Sequence, residues 1–409
     1  MLPFFVSVVF FLVSGALSTF SYAEAFRHQT DQRNSECGIA NIIRLDREHV
    51  LFDVEKLYKA EIRTITADVS QRSEGSINDF YSEGDYWWPV EGDYDAPYVR
   101  RDGESNPKNF IAHRLSMMRL ADIMAGLVEG YLLTDNDIIK KKYASRAEAH
   151  LLAWFVDPET SMNPNLLYSQ AIKGRYSGRS IGLIDTLHLV EVALAANILI
   201  KRDAISDMSK ASIKLWFSEY SMWMNSHPFG VRERDHPNNH GVAWSLQNAS
   251  FAKLTGNSEL LELVREQFRA KYLYSMMASD GSFPKEISRT KPYGYSLFII
   301  DLMAGIAQIA STDDQNLWLF ETENGRSMRL GLDFIVQFVK DKASWPYAKD
   351  LQYWNEWPMR HASLLFGGYQ LDHCDFFDVI KDLPRDSQVY EVKRNFPIRN
   401  PILWLKLID

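Results

Sequence analysis

The chain has 409 residues, of which 46% are apolar and 13% are aromatic, so it can bury a large core and is too hydrophobic to be disordered. Its formal net charge of −8 at pH 7 argues against nucleic acid as a partner, but not against an acidic polymer, for which only the local field of a cleft matters. The ten histidines are scattered and only two cysteines occur, so we expect neither a metal site nor another cofactor.

The N-terminal 23 residues carry no charged side chain and end in Ser21-Tyr22-Ala23, a small-x-small pattern that signal peptidase cleaves. This predicts a signal peptide over residues 1–23 and a secreted or periplasmic protein with no membrane contact after its removal. A retained membrane anchor is the alternative, because no Lys or Arg precedes the apolar run. An oxidising compartment would allow Cys37 and Cys374 to pair, and two buried free thiols fit the sequence equally well.

Residues 24–80 lack a clear period and predict a mixed N-terminal segment, irregular from Cys37 to Val54 and followed by a short helix that begins over 54–58. The next stretch, residues 81–107, is dense in Gly, Pro, Asp and aromatic residues. It predicts a long ordered loop of the kind that often carries function.

Beyond residue 109, apolar residues recur at three- and four-residue spacing, which is typical of helices, and strand-like alternation is nearly absent. No spacer rich in Pro, Gly or Ser divides this region, so residues 24–409 are predicted to form a single domain. The predicted helices cover 111–133, 138–155, 184–202, 208–226, 240–255, 259–277, 295–311, 328–341 and 360–370.

Helices joined by short connections run antiparallel, so the helices that begin near 111, 184, 240, 295 and 360 point the same way. Each of these starts follows a long segment rich in polar and aromatic side chains, whereas the other connections are short. The arrangement predicts an all-α fold, an α/α toroid (incomplete α/α barrel) of antiparallel helix pairs with a cleft at one end.

Two helix starts on this rim carry candidate chemistry. Asn239 is the expected N-cap of one helix and His240 lies in its first turn, where the helix dipole favours a neutral imidazole that can exchange a proton. Tyr295 begins a second helix, and Arg289 nearby is expected to lower the pKa of its phenol. Tyr293 is a competitor for the same role. The alternative is that Asn239 only caps its helix and that His240 is a core residue whose hydrogen bonds are made within the protein.

Short blocks of polar and aromatic residues precede or open the predicted helices: Tyr86-Trp87-Trp88-Pro89, Tyr98-Val99-Arg100-Arg101-Asp102-Gly103, Met162-Asn163-Pro164-Asn165, Tyr168-Ser169-Gln170-Ala171, Gly178-Arg179, Asn239-His240-Gly241 with Trp244 and Gln247, Asp280-Gly281-Ser282, Arg289-Thr290 and Tyr295-Ser296-Leu297-Phe298. In this order, over about residues 80–365, they resemble the alginate lyase family of polysaccharide lyases. Val242-Ala243 and Ser245 depart from the residues that the family usually carries there, so the fine substrate preference stays open.

The resemblance implies β-elimination on a uronic-acid polymer of the alginate or glucuronan type, an anionic polysaccharide. Such a reaction must neutralise the uronate carboxylate, remove the C5 proton and protonate the departing O4. Asn239, His240 and Arg289 suit the first task. Tyr295 suits both proton transfers, or His240 removes the proton and Tyr295 returns one; the sequence leaves this open.

The loops are expected to bind the polymer. Aromatic side chains would stack on sugar rings, arginines would pair with carboxylates, and amides would bind hydroxyl groups. The alternatives are loop anchoring for the tryptophans and an ion pair with Asp102 or Glu104 for the paired arginines. The predicted substrate-binding residues are Trp87, Trp88, Tyr98, Arg100, Arg101, Asn165, Gln170, Arg179 and Tyr293.

Two other functions compete at this stage. An inverting glycoside hydrolase on the same fold would need two opposed carboxylates, for which Glu83, Asp85, Asp235 and Glu286 are the candidates. A non-catalytic uronan-binding protein would bind the polymer without shortening it. The sequence leaves the oligomeric state open.

Overall fold

The computed structural model describes residues 37–93 and 95–405, so the predicted signal peptide lies outside the described residues. Helices dominate this part of the chain. They are α1 Ile39–Tyr58, α2 Ala112–Leu133, α3 Asp137–Phe155, α4 Leu189–Lys201, α5 Asp207–Ser226, α6 Pro228–Arg234, α7 Asn239–Thr255, α8 Ser258–Glu266, α9 Pro284–Ile287, α10 Pro292–Ala310, α11 Met328–Lys340, α12 Ala362–Gln370, α13 Cys374–Ile380 and α14 Tyr390–Arg394.

The helices form two layers around a common core. In the inner layer each helix packs against the next one, in the order α2, α4, α7, α10 and α12. The outer helices α3, α5, α8, α11 and α13 pack on this inner layer. The predicted all-α toroid is therefore confirmed, and the helices with the decorated N-terminal loops are the inner ones.

Helix α10 lies at the centre of this core. All 19 of its residues are buried, and each fully buried large apolar side chain contributes about 1.5–3 kcal/mol. The helix is long and apolar enough to cross a bilayer, but its complete burial within the protein is what a core helix shows. Its rigid position fixes the first-turn residues that face the cleft.

The prediction of an irregular stretch from Cys37 to Val54 was wrong, because α1 is a regular helix of 20 residues. Its buried residues, Ile42, Asp46, Val50 and Val54, recur every four residues and form only one narrow row. Charged side chains surround that row, so the apolar pattern was too sparse to indicate a helix. The buried Asp46 is satisfied by Arg360, at 2.9 Å.

Other helices differ from prediction in detail. A 3₁₀ turn over Ser180–Thr186 precedes α4, a π-helix over Gln267–Met276 continues α8, and the short α6 was not predicted. Helix α6 begins with Pro228, whose fixed φ suits the first helical position. Helix α6 brings the carboxylate of Glu233 to the candidate active site.

The loop over residues 81–107 is ordered by two small sheets. Strand β1 (Tyr81–Glu83) pairs in parallel with β4 (Tyr168–Ala171), and β2 (Trp87–Trp88) pairs antiparallel with β3 (Val99–Arg100). The first sheet joins the loop before α2 to the loop before α4. Both loops thus reach the same end of the inner layer.

A disulfide joins Cys37 to Cys374 across 337 residues of sequence. It ties the segment before α1 to the first residue of α13. Of the two alternatives that the sequence left open, the structure contains the paired one.

Candidate active site

The loops that precede the inner helices surround one cleft of about 290 Å³. All four predicted catalytic residues and four of the predicted binding residues line it: Asn239, His240, Arg289, Tyr295, Trp87, Arg100, Gln170 and Arg179. The cleft is also lined by Asp85, Tyr86, His236, Asn238, Arg394 and Asn395. Residues far apart in sequence therefore meet where the helix-parity argument predicted.

The start of α7 is built differently from the prediction. Asn238, and not Asn239, is the N-cap: its side-chain oxygen accepts the backbone N–H of His240 at 3.3 Å. The turn is tight, since a Cβ on Gly241 would lie 2.4 Å from the carbonyl oxygen of His236. Only glycine fits there, and it allows the chain to place Asn239 and His240 in the first turn of the helix.

His240 is oriented by a buried carboxylate. Its Nδ1 lies 2.6 Å from Oε1 of Glu233 on α6, a side chain that is only 1% exposed. A carboxylate accepts, so Nδ1 carries the proton in this contact. Among the described residues, Nε2 of His240 has no hydrogen-bond partner, and the ring lines the cleft. In its neutral form the imidazole therefore presents Nε2 to the cleft as a proton acceptor.

Asn239 is held by a second buried carboxylate. Glu286 accepts the backbone N–H of Asn239 at 2.7 Å and its side-chain N–H at 2.6 Å. Burial raises the pKa of Glu286 above its ordinary value, against the opposing effect of these two donors. The two contacts fix the Asn239 amide at the cleft with one N–H still available.

Tyr295 lies in the first turn of α10, and the start of that helix is capped from outside. The Asp350 carboxylate accepts the backbone N–H groups of Tyr293 at 2.8 Å and Gly294 at 2.9 Å. Burial raises the pKa of Asp350 to about 6. This cap satisfies N–H groups that would otherwise be unpaired and fixes the position of Tyr295.

The predicted direction of the Tyr295 pKa was wrong. The Arg289 guanidinium does lie over the phenol ring, 4.7 Å from its centroid, and the Tyr86 hydroxyl lies 2.8 Å from the Tyr295 hydroxyl. Burial nevertheless outweighs both and raises the pKa of Tyr295 to about 12. At neutral pH the site therefore holds a neutral phenol, which can donate a proton.

Arg179 differs from the other arginines of the cleft. Arg100 and Arg289 contact Asp102, and Arg394 contacts Asp85 and Glu391. Among the described residues, Arg179 donates hydrogen bonds only to neutral groups, the backbone and side-chain oxygens of Gln170, at 2.8 and 3.1 Å. Burial lowers its pKa to about 10, so an anion that entered the cleft would stabilise its charge.

Gln170 holds this arginine from an uncommon backbone conformation, with φ at 49°. Its amide nitrogen donates to Asp185 at 3.0 Å while its oxygen accepts from Arg179. A non-glycine residue in the left-handed region costs about 1–3 kcal/mol, and such strain concentrates at functional sites. The backbone of β4 therefore holds the Gln170 amide so that its nitrogen contacts Asp185 and its oxygen contacts Arg179.

Five predicted binding residues do not line the cleft. Trp88 donates to the carbonyl of Glu104 at 2.9 Å, and Arg101 lies over the Trp88 ring at 5.0 Å, so this pair anchors the loop. The Asn165 side chain accepts a backbone N–H of its own turn. Tyr98 contacts the 173–175 loop through its backbone.

Tyr293 is the fifth of these residues. It is fully buried in the core and donates to the carbonyl of Phe338 at 3.0 Å. Its side chain packs against Trp345 and Trp354. It faces the outer layer of helices, so of these two tyrosines only Tyr295 lines the cleft.

The sequence reasoning did not assign the positioning residues of this site. Glu233 and Glu286 do not line the cleft but hold His240 and Asn239. Glu233 was not identified and Glu286 was considered only as a carboxylate of a hydrolase, because carboxylates on short helices are common on surfaces. Tyr86 belongs to one of the predicted loop blocks, but its contact with Tyr295 was not anticipated. Arg394 and Asn395 line the cleft and were not identified; they come from α14 and the residue after it, far from any recognised block.

Of the four candidate carboxylates of a hydrolase, only Asp85 lines the cleft. Burial alone would raise the pKa of Asp85, but Arg114 and Arg394 outweigh it and lower the pKa to about 2. Glu83 is paired with Arg72. The other two candidates are also engaged: Asp235 binds Arg234, and Glu286 binds Asn239. The site is therefore dominated by neutral and cationic donors around a histidine and a tyrosine.

A helical toroid with such a cleft is an architecture that polysaccharide lyases use. The model of the family described as alginate lyase matches residues 64–345, more than half of the chain. The chain belongs to the alginate lyase family, and it is a polysaccharide lyase, as its sequence blocks predicted.

Solved structures agree with this assignment. An alginate lyase from Bacteroides ovatus is 26% identical, with 94% of this chain and 98% of that chain covered and a TM-score of 0.72. Alginate lyase A1-III from Sphingomonas species A1 is 16% identical over 87% of this chain and 94% of that one, with a TM-score of 0.53, and supports the fold alone. A variant of the latter, complexed with a tetrasaccharide, is 14% identical over 88% and 94% of the two chains at a TM-score of 0.54. The comparison with curated proteins finds no match.

Proposed function

We propose that this enzyme cleaves alginate by β-elimination and leaves a C4=C5 unsaturated sugar at the new non-reducing end. The observation that supports this most strongly is the position of His240. Its Nδ1 is held by the buried Glu233 and its Nε2 is open to the cleft. The neutral phenol of Tyr295 lines the same cleft. Membership of the family and the names of its solved members support alginate as the polymer.

The uronate carboxylate would be bound first. Asn239 offers an amide N–H fixed by Glu286, and Arg289 offers a guanidinium at the same cleft. Neutralising the carboxylate makes the C5 proton more acidic, because negative charge that develops on its removal is spread into the bound carboxylate. Both donors are held in advance, so little reorganisation is needed at the moment of reaction.

His240 would then remove the C5 proton with Nε2. Transfer of that proton makes the ring an imidazolium, and the Glu233 carboxylate at Nδ1 stabilises the new positive charge. The electron pair of the C–H bond forms the C4=C5 double bond, and the bond from C4 to the bridging oxygen breaks.

Tyr295 would protonate that bridging oxygen. Its pKa of about 12 keeps the phenol protonated at neutral pH, which is the form that an acid needs. The phenolate left behind lies beside the Arg289 guanidinium and the Tyr86 hydroxyl, and both stabilise it. A mechanism in which Tyr295 also removes the C5 proton would require it to lose its own proton first, against this high pKa.

Tyr295→Phe tests this assignment. Loss of the general acid should reduce the rate of cleavage about 10²- to 10⁴-fold, measured as ultraviolet absorbance of the new double bond on alginate, while binding of the polymer persists. Tyr274→Phe is the matched control, since Tyr274 is 52% exposed and does not line the cleft. Undiminished cleavage by Tyr295→Phe would contradict the mechanism, and products without ultraviolet absorbance would contradict β-elimination.

We also propose that the protein is exported before it acts. The support is the uncharged N-terminal segment with its small-x-small end, together with a disulfide of the kind that persists in oxidising compartments. Fractionation of cells followed by N-terminal sequencing of the mature protein would test this. A chain that begins at Met1 and stays in the cytoplasm would contradict it.

A further inference from the structure

A second cavity, of about 520 Å³, lies beside the catalytic cleft. The sheet of β1 and β4 separates this outer cavity from the cleft. Tyr81, Glu83 and Ala171 line the outer cavity, and Gln170 lines the cleft. Residues 172–177 close the other side as a hairpin, in which Ile172 bridges Tyr176. No role in the proposed reaction uses this cavity.

Trp87 connects the two cavities. Arg179 lines the cleft and Arg175 lines the outer cavity, and their guanidinium carbons lie 5.8 and 5.5 Å from the centroid of the Trp87 ring. Both cations are therefore close enough to be reached by one short run of sugars. A polymer that leaves the cleft beside Arg179 would pass Trp87 and meet Arg175 next.

The surface of the outer cavity has the groups that bind an anionic sugar. Tyr176 is 59% exposed although it is a large aromatic side chain, so it offers a free face for stacking on a sugar ring. Nε of Arg175 donates to the carbonyl of Tyr98 at 2.8 Å. This bond holds the guanidinium in place and does not use its other N–H groups. These two adjacent residues combine an aromatic platform with a fixed cation.

The acidic residues of the cavity do not cancel this cation. Glu83 is engaged by Arg72 at 2.8 Å, by the Tyr81 hydroxyl at 2.9 Å and by a backbone N–H at 2.9 Å, so its charge is satisfied within the wall. Glu74 lies at the exposed rim. The cavity therefore carries the positive charges of Arg72, Lys173 and Arg175 beside these two carboxylates, which favours an anion there.

We propose that this outer cavity is a distal subsite, in which Arg175 and Tyr176 bind a uronate of the same polymer several sugars away from the bond that is cleaved. The proposal rests on the proposed function, since the chain that occupies the subsite is the substrate. The subsite makes the enzyme favour long chains over short ones, because only a long chain reaches both the cleft and the cavity.

Chain length is the variable that tests the subsite. We expect Arg175→Gln and Tyr176→Ala each to lower kcat/KM on polymeric alginate about two- to fivefold, and the double variant about tenfold, with cleavage of the shortest cleavable oligosaccharide unchanged. Lys141→Gln, at an exposed lysine of α3, is the control for lost positive charge and should leave both substrates unaffected.

The outcomes separate this proposal from the function on which it rests. Cleavage by the wild-type enzyme tests the function alone. Equal losses on short and long chains, or no loss on either, would overturn the subsite. Calorimetric binding of the same chains to Tyr295→Phe protein, with and without the two substitutions, gives a readout that does not depend on cleavage; equal affinity for long chains would also overturn it.

Discussion

Glu233→Gln is the most informative substitution in the cleft, because Glu233 touches His240 and lines no part of the cleft itself. The contact is 2.6 Å long and buried, and the second carboxylate oxygen of Glu233 has no hydrogen-bond partner among the described residues. The proposed reaction places positive charge on His240, so the substitution removes a charge-assisted hydrogen bond worth about 1.5–3 kcal/mol in the transition state. We therefore expect kcat to fall about 10- to 150-fold.

The glutamine can also form a hydrogen bond with Nδ1 in the opposite direction. If its amide donates to Nδ1, the imidazole proton moves to Nε2 and the nitrogen that faces the cleft no longer accepts. This effect lowers kcat further, while KM changes little because no contact with the substrate is lost. Initial rates of ultraviolet absorbance over a range of alginate concentrations separate the two parameters.

A double-mutant cycle with His240→Ala supplies the control. If Glu233 acts only through His240, then Glu233→Gln should have no further effect once the imidazole is absent. An equal loss in both backgrounds would refute the positioning role and indicate a general loss of structure. Full activity of the single variant would refute the assignment of His240 as the base.

Three other predictions follow from buried groups. The rate should stay level from neutral to mildly alkaline pH, because Tyr295 keeps its proton until about pH 12; a decline in kcat/KM that begins just above neutrality would contradict the acid role. Burial raises the pKa of Glu129 well above its ordinary value, so stability from this residue is present below the unfolded pKa of about 4.5 and lost as pH rises. Glu129→Gln should therefore raise the free energy of unfolding by about 1–3 kcal/mol at pH 7 and less at pH 4, as denaturant titration would measure. Cys374→Ser should lower it by about 3–5 kcal/mol, with Cys37→Ser giving the same loss and added reductant giving no further loss in either variant.

The inner helices were predictable because their apolar residues occupy most positions over many turns. The pattern at 295–311 sufficed for α10, all of which is buried. Helix α1 was not predictable in the same way, since its buried row contains one residue in four and includes the charged Asp46. Apolar periodicity reports how wide the buried face is, and a narrow face gives little signal.

Some residues of the candidate site could likewise be predicted from the sequence, and others could not. Residues at helix starts, such as His240 and Asn239, could be located from order along the chain. Their partners Glu233 and Glu286 could not, because each approaches from another short helix whose position depends on packing. The sign of the Tyr295 pKa also required the structure, since burial outweighs the neighbouring Arg289 and only three-dimensional packing determines burial.

The bond between Cys37 and Cys374 also constrains the order in which the molecule can be completed. Its partners are 337 residues apart, so the bond can form only after the whole segment between them has been synthesised. Neighbouring helices, joined by short loops, can pair long before that, because short loops close quickly and at low entropic cost. The bond therefore forms after local pairing of helices has become possible, and a chain that carries it has already brought α13 and the segment before α1 together.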